Sequence, residues 1–276
     1  MLTHAGEALL TGAPGKPLIA QYESNRIVAT PKADQAATMQ MLANGDLKLS
    51  GDTISTVMVN EQGKTTAKCR DYVLMVRAED GLETGSSTEL HAPTAILTTT
   101  GPLHARLARS AGAEQSPASP RSGFASFRNF DYTGIKEATT DKGCTLRTEQ
   151  ASMQCTGPVR ILMESDNKKS EDSMLGGIRY ATAAGDVALA GKDNKGRLLR
   201  ATGDLLTIDA ATGMKVLSGK RVTLGDANNT HIITGKDAAV HIDAKNNVRI
   251  TGQNHKTHAT KVREQLNTQN NKMFKK

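Results

Sequence analysis

The sequence predicts an all-β chain of short antiparallel strands stacked in a repeating array, and three observations carry that expectation. Apolar and polar residues alternate with a period of two. Leu47 and Leu49 alternate with Lys48 and Ser50, and Val187 and Leu189 with Ala188 and Ala190, so each set occupies one face of a pleated strand. Turn residues recur at short intervals, and no sustained helical periodicity precedes the last twenty residues. The chain also repeats itself. "GDLKLSG" (Gly45 to Gly51) returns as "GDVALAG" (Gly185 to Gly191), and Tyr180 to Gly191 aligns without gaps on Ile208 to Gly219, a shift of 28 residues. A further copy spans Ile242 to Gly252, and a weaker one Ala151 to Gly157. Repeats of this length signal a stacked array in which no single unit buries its own core.

Each unit reads as a hairpin. In "LLTIDAATGMKVLSG" an alternating run leads to Asp209, a short Ala-Ala-Thr-Gly turn follows, and a second run ends at Gly219. The leading Gly-Asp and the closing Gly are turn chemistry, so each copy is expected to be one short strand bounded by turns. The repeated aspartates, Asp204 and Asp237, Asp209 and Asp243, fit turn formation better than catalysis. Counting parity from each closing Gly places Leu47, Leu49, Val187, Leu189, Leu206, Ile208, Leu217, Val248 and Ile250 on the inner face. Lys215 falls in an inner slot while Val216 does not, which leads to the expectation of a bulge restoring Val216 to the inside.

Composition limits the interior. With 37% hydrophobic residues, 3% aromatics and no Trp, the core must be built from Val, Leu, Ile, Ala and Met, which suits a thin two-walled body. The chain divides into an N-terminal β region over 1–107, an Ala/Ser/Pro-rich linker over 108–123, a C-terminal β region over 124–256 and a basic tail over 257–276, read as disordered or helical. Phe124, Phe127 and Phe130 cluster after the linker. They either pin the loop to the sheet or form an apolar lip at the mouth of a groove.

The net charge of +7 sits mostly at the C-terminal end, where from Gln253 on Lys256, Lys261, Arg263, Lys272, Lys275 and Lys276 face Glu264 alone. Aromatics for base stacking are few and no nucleic-acid-binding signature accompanies the charge, so nucleic acid is not an expected partner. Catalytic and nucleotide-binding motifs are absent, an enzyme is the least supported class, and neither cofactor nor metal is expected. His231 and His241 lie in strand-like runs, and the His255/His258 pair lacks an evident third ligand. Cys144 and Cys155 occupy apolar slots that the hairpin sets opposite each other. They are either a disulfide, which implies an oxidising compartment, or two buried thiols.

Residues Ala201 to Gly252, with their "TGD…L.ID..TG…LSG" phrasing, the Thr202-Gly203-Asp204 turn echoed at Thr234-Gly235-Lys236-Asp237 and the closing "VRITG", resemble the OstA-like family of lipopolysaccharide transport, comprising LptA, LptC and the N-terminal domain of LptD. The likeness extends over 175–256 and, more weakly, over 36–77. It implies an OstA-like β-jellyroll, or β-taco, as two copies or as one long array with an inserted linker. It further implies a non-catalytic periplasmic protein whose apolar groove shields lipopolysaccharide acyl chains. Its partners would be that lipid and other OstA-like modules, or further copies of itself, met head to tail through edge strands. The N-terminus lacks the basic start and apolar stretch of an export signal, so periplasmic residence implies that such a segment has been removed. The alternative is a structural or filament-forming β-solenoid with a closed core, adhesin-like or bactofilin-like, and cytoplasmic in the latter case.

Overall fold

The computed structural model describes residues 7–22, 25–60, 63–76, 80–92, 95–109, 132–149, 151–163, 178–192, 198–226, 228–245 and 247–259. All of its regular structure is strand. The first ten strands are β1 (Ala8–Thr11), β2 (Leu18–Tyr22), β3 (Asn25–Thr30), β4 (Thr38–Met41), β5 (Leu47–Asn60), β6 (Gly63–Val76), β7 (Gly81–Thr84), β8 (Glu89–His91), β9 (Ala95–Thr99) and β10 (His104–Arg109). The next six are β11 (Tyr132–Thr140), β12 (Cys144–Thr148), β13 (Ala151–Cys155), β14 (Val159–Met163), β15 (Ile178–Lys192) and β16 (Leu198–Asp209). The last six are β17 (Met214–Ser218), β18 (Arg221–Gly225), β19 (Asn229–Thr234), β20 (Ala239–Ile242), β21 (Val248–Thr251) and β22 (Asn254–Ala259).

Every recorded pairing is antiparallel, and the pairings resolve into two rows. Wall one runs β1, β4, the first half of β5, the second half of β6, then β7, β10, β11, β14, the first half of β15, the second half of β16, and β17, β20, β21. Wall two runs β2, β3, the second half of β5, the first half of β6, then β8, β9, β12, β13, the second half of β15, the first half of β16, and β18, β19, β22. At a strand spacing of about 4.8 Å, each wall extends for roughly 60 Å. The long strands β5, β6, β15 and β16 belong to both walls. Through β6 and β15, ten strands therefore close on themselves in the order β6, β7, β10, β11, β14, β15, β13, β12, β9, β8 and back to β6, a closed antiparallel barrel with outer strands on either side. The strands flanking the Ala/Ser/Pro-rich stretch, β10 and β11, are direct partners, so one sheet continues across it.

The walls meet at a line of corners where the chain steps from one to the other. Gly85, Gly101, Gly143, Gly157, Gly219, Gly235 and Gly252 each lie on such a step, while Gly51 and Gly185 lie where β5 and β15 bend from wall to wall. The backbones of successive corners touch. A Cβ on Gly157 would stand 2.7 Å from Ala184 O. At that corner Gly157 N donates to Ala184 O (2.9 Å) and Ala184 N to Pro158 O (3.0 Å), which pairs main-chain groups that would otherwise be buried without partners. Elsewhere hydroxyls do the same work. Thr84 Oγ1 lies 2.6 Å from Thr88 Oγ1 and accepts from Leu103 N (2.9 Å), and Thr99 Oγ1 accepts from Thr88 N (3.0 Å) and donates to Gly101 O (2.6 Å).

These corners change the meaning of the repeat. The Gly-Asp pair opens a turn at Gly45-Asp46, but Gly185-Asp186 is a bend inside the long strand β15, with φ of +75° and +45° and a register shift between Ala184 and Val187. Gly51 and Gly191 likewise lie inside strands, whereas Gly157, Gly219 and Gly252 are passages between walls. Strands that turn a corner without ending look, in sequence, like strands that stop at a turn. Two of the repeated aspartates do form turns: Asp209 Oδ1 accepts from Ala211 N (2.9 Å), and Asp243 Oδ1 from Lys245 N (2.9 Å) and Asn247 N (2.8 Å), whereas Asp204 lies inside β16 and its Oδ2 accepts from Lys220 N (2.8 Å) across a corner. The expected bulge at Lys215 is absent, because β16 and β17 pair without a shift, Leu206 with Leu217, Thr207 with Val216 and Ile208 with Lys215. The tail also begins later than expected. Residues 254–259 form β22, which pairs with β19, so among the described residues the C-terminal end of the array is formed by two strands, β21 and β22.

Gly185→Ala forces a side chain into positive φ, where its Cβ would stand 2.9 Å from Gly157 N. It is expected to cost about 1–3 kcal/mol in urea unfolding. Gly225→Ala, whose Cβ meets nothing closer than 3.5 Å, is expected to change stability by no more than about 0.5 kcal/mol.

Candidate functional site

The space between the walls is the candidate site. Its innermost layer, nearest the corners, is closed. Leu49, Ile54, Val73, Val187, Leu206, Leu217, Val222, Ile233 and Val240 are each no more than 3% exposed, and those from β15 onward pack in one cluster drawn from both walls. In the middle of the array the next layer is also buried, as Leu146, Met153 and Ile161 show. Toward the C-terminal end it loosens. Leu189, Ala201 and Leu224 on wall two and Ile242 on wall one are only half-buried, while packing against the same core. The outer faces are polar, with pairs such as Arg160 Nε to Glu137 Oε1 at 2.7 Å. A shallow depression of about 270 Å³ among Arg160, Thr182 and Leu205 lies on the outside of wall one.

Of the residues placed inward by parity, Leu49, Val187, Leu206, Ile208 and Leu217 are buried in the core, and Leu47, Leu189 and Ile250 pack against it. Val248 shares the parity of Ile250 but is 48% exposed; among the described residues β21 pairs only with β20. Phe124, Phe127 and Phe130 lie outside the described residues.

Three polar features of the inner face bear on its chemistry. Lys215 sits in register between Ile208 and Ile242, half-buried, and burial holds its ammonium below the ordinary lysine range. On wall two, His231 Nδ1 lies 3.1 Å from His255 Nε2 and 3.2 Å from Thr257 Oγ1. Alternation alone could not have found this contact, because it requires β22 to be a strand and to pair with β19. His258 has the opposite parity to His255 on β22, and His241 lies on the outer face, 3.3 Å from Thr251 Oγ1. The third feature is a thiol pair. Cys144 and Cys155 are cross-strand partners, buried and free, with Sγ atoms 3.9 Å apart. Their shared hydrogen bond raises the Cys144 thiol and lowers that of Cys155. Cys69 is buried in the N-terminal core, where desolvation, with a smaller contribution from Asp71, pushes its thiol up to about 12.

The fold and this interior define a two-walled, all-β protein with its apolar face turned inward. The chain matches no protein-family model, and no curated protein matches its sequence. Among the described residues no helix is long and apolar enough to cross a membrane, and no group of three or more metal-ligating side chains occurs.

Lys215 makes stability depend on pH with a definite sign. The folded chain holds this proton less tightly than the unfolded chain, so the penalty is fully present below the lowered folded value and fades as pH rises to the ordinary lysine range. Lys215→Met is therefore expected to raise the unfolding midpoint near neutral pH, by under about 1 kcal/mol since much of the side chain stays in water. The difference should vanish in alkaline solution. For the thiols, a dithiol oxidant such as diamide is expected to yield a Cys144–Cys155 linked peptide and leave Cys69 unmodified, as read by mass analysis without reduction.

Proposed function

We propose that the protein is a non-catalytic periplasmic carrier of the OstA-like kind, which shields the acyl chains of lipopolysaccharide or a related lipid between its walls and joins a neighbouring module end to end. The observation that carries this reading is the gradient of burial across the inner face. A dry layer lies along the corners, and an apolar, half-buried layer of Leu189, Leu224 and Ile242 lies outside it toward the C-terminal end. Apolar side chains left partly in water on an inward face favour a ligand of the same character. Among the described residues the rows end on β1 and β2 at one end and on β21 and β22 at the other, and such terminal strands suit strand addition by a neighbour. The same reading assigns Lys215 to the rim of the groove, where its charge would meet an anionic head group.

One observation favours the alternative of a structural or filament-forming β-solenoid: the central barrel is closed and its middle layers are fully packed. Photo-crosslinkers separate the two. Placed at Leu189, Leu224 and Ile242, they are expected to capture lipopolysaccharide, and at the outward Lys48 and Arg249 they are not. Capture from the outward positions alone, or from none, overturns the carrier reading. For assembly, Arg249→Pro in β21 or Lys256→Pro in β22 is expected to weaken head-to-tail association roughly tenfold in sedimentation. A parent chain that stays monomeric at high concentration overturns the bridge.

A further inference from the structure

We infer that His231 and His255 form a binding site for one divalent transition-metal ion, zinc or copper, on the inner face of the last strands of wall two. The inference stands apart from the lipid reading. His231 on β19 and His255 on β22 are diagonal neighbours, since Ile233 pairs with His255 and His231 with Thr257. Both share the face of Val222 and Ile233, which are fully buried, while His231 is half-buried and His255 open to solvent, so an ion can reach the pair. The ring centroids are 5.2 Å apart and the planes tilted by 38°.

The decisive quantity is the 3.1 Å between His231 Nδ1 and His255 Nε2. An ion about 2.0–2.1 Å from each nitrogen would subtend roughly 100° between them, between the square and tetrahedral angles that imidazole-bound zinc and copper adopt. Unlike an ion pair of opposite charges, two imidazoles side by side gain only one N–H···N bond from their contact, and a metal replaces it with two bonds. Binding requires that the ring now donating that hydrogen move its proton to its other nitrogen, so the neutral pair takes up an ion without releasing a proton. The remaining coordination positions hold water, and Thr257 Oγ1, 3.2 Å from His231 Nδ1, is placed to hydrogen-bond one of them. The bound ion ties β22, which among the described residues pairs with β19 alone, to its neighbour.

The test is calorimetric titration of zinc and copper salts into the full chain, with amide hydrogen exchange over Asn254–Ala259. One ion per chain is expected. Affinity should fall at least roughly tenfold in His231→Ala and in His255→Ala and persist in His241→Ala and His258→Ala, and exchange over β22 should slow when metal is present. Because the histidine variants also disturb an edge strand, metal protection of the parent's His255 against diethylpyrocarbonate is a second readout. The site is overturned if the parent binds no metal, if the double variant binds as tightly as the parent, if His258→Ala abolishes binding while His231→Ala does not, or if metal leaves His255 unprotected.

Discussion

The architecture depends on close approach of backbone to backbone along the line of corners. Two sheets can share an edge only if the chain passes between them without a side chain in the way. At Gly157 the carbonyl of Ala184 occupies the place of a Cβ, and at Gly51 the carbonyl of Thr30 does so at 2.9 Å. Once the corners stack, the first inward residue on each side is forced into contact with its counterpart on the opposite wall. This is why Val187, Val222, Ile233 and Leu217 are the most completely buried side chains of their strands. Residues farther from the corner depend on how far the walls diverge.

That divergence organises the chemistry of the inner face. Near the corners only small and aliphatic groups are tolerated, and the polar atoms there, the hydroxyls of Thr84, Thr88 and Thr99, are consumed by the corners' own main-chain groups. Farther out and toward the C-terminal end, water reaches the interior, and Lys215, His231 and Thr257 become affordable. Lys215, His231 and Thr257 thus follow the opening of the walls, while the Thr56 hydroxyl, buried on the inner face near the N-terminal end, has no partner among the described residues.

The strand content and facing of this fold were legible in the sequence because alternation is a local property. Leu206 and Ile208 announce their face by their polar neighbours alone, and Asp209 and Asp243 announce turns through short-range hydrogen bonds. What alternation could not convey is whether a Gly-Asp pair ends a strand or bends it. Gly45-Asp46 and Gly185-Asp186 use the same letters, and the second is a bend packed against the corner at Gly157, a contact distant in sequence. Lys215 was legible as an inward position, yet its charge suggested a bulge, since a sequence does not reveal that the interior is wet at that point. The His231–His255 contact was illegible for a related reason. The pairing of β19 with β22 depends on the corner at Gly252, and the residues after it carry no apolar alternation.

The ordering of strands along the walls has a consequence for how the molecule comes apart. Each strand hydrogen-bonds to its immediate neighbours in the row and packs across to the facing wall, so the array approaches a one-dimensional chain of coupled two-walled units. Opening an interior unit breaks interfaces on both sides, whereas opening a terminal unit breaks one. Local unfolding therefore proceeds inward from β1 and β2 or from β21 and β22, and the closed barrel, where both walls are locked by β6 and β15, is the last region to open. The same independence lets connections away from the corners vary in length at little cost, while an added residue at a corner would disturb the stacking there.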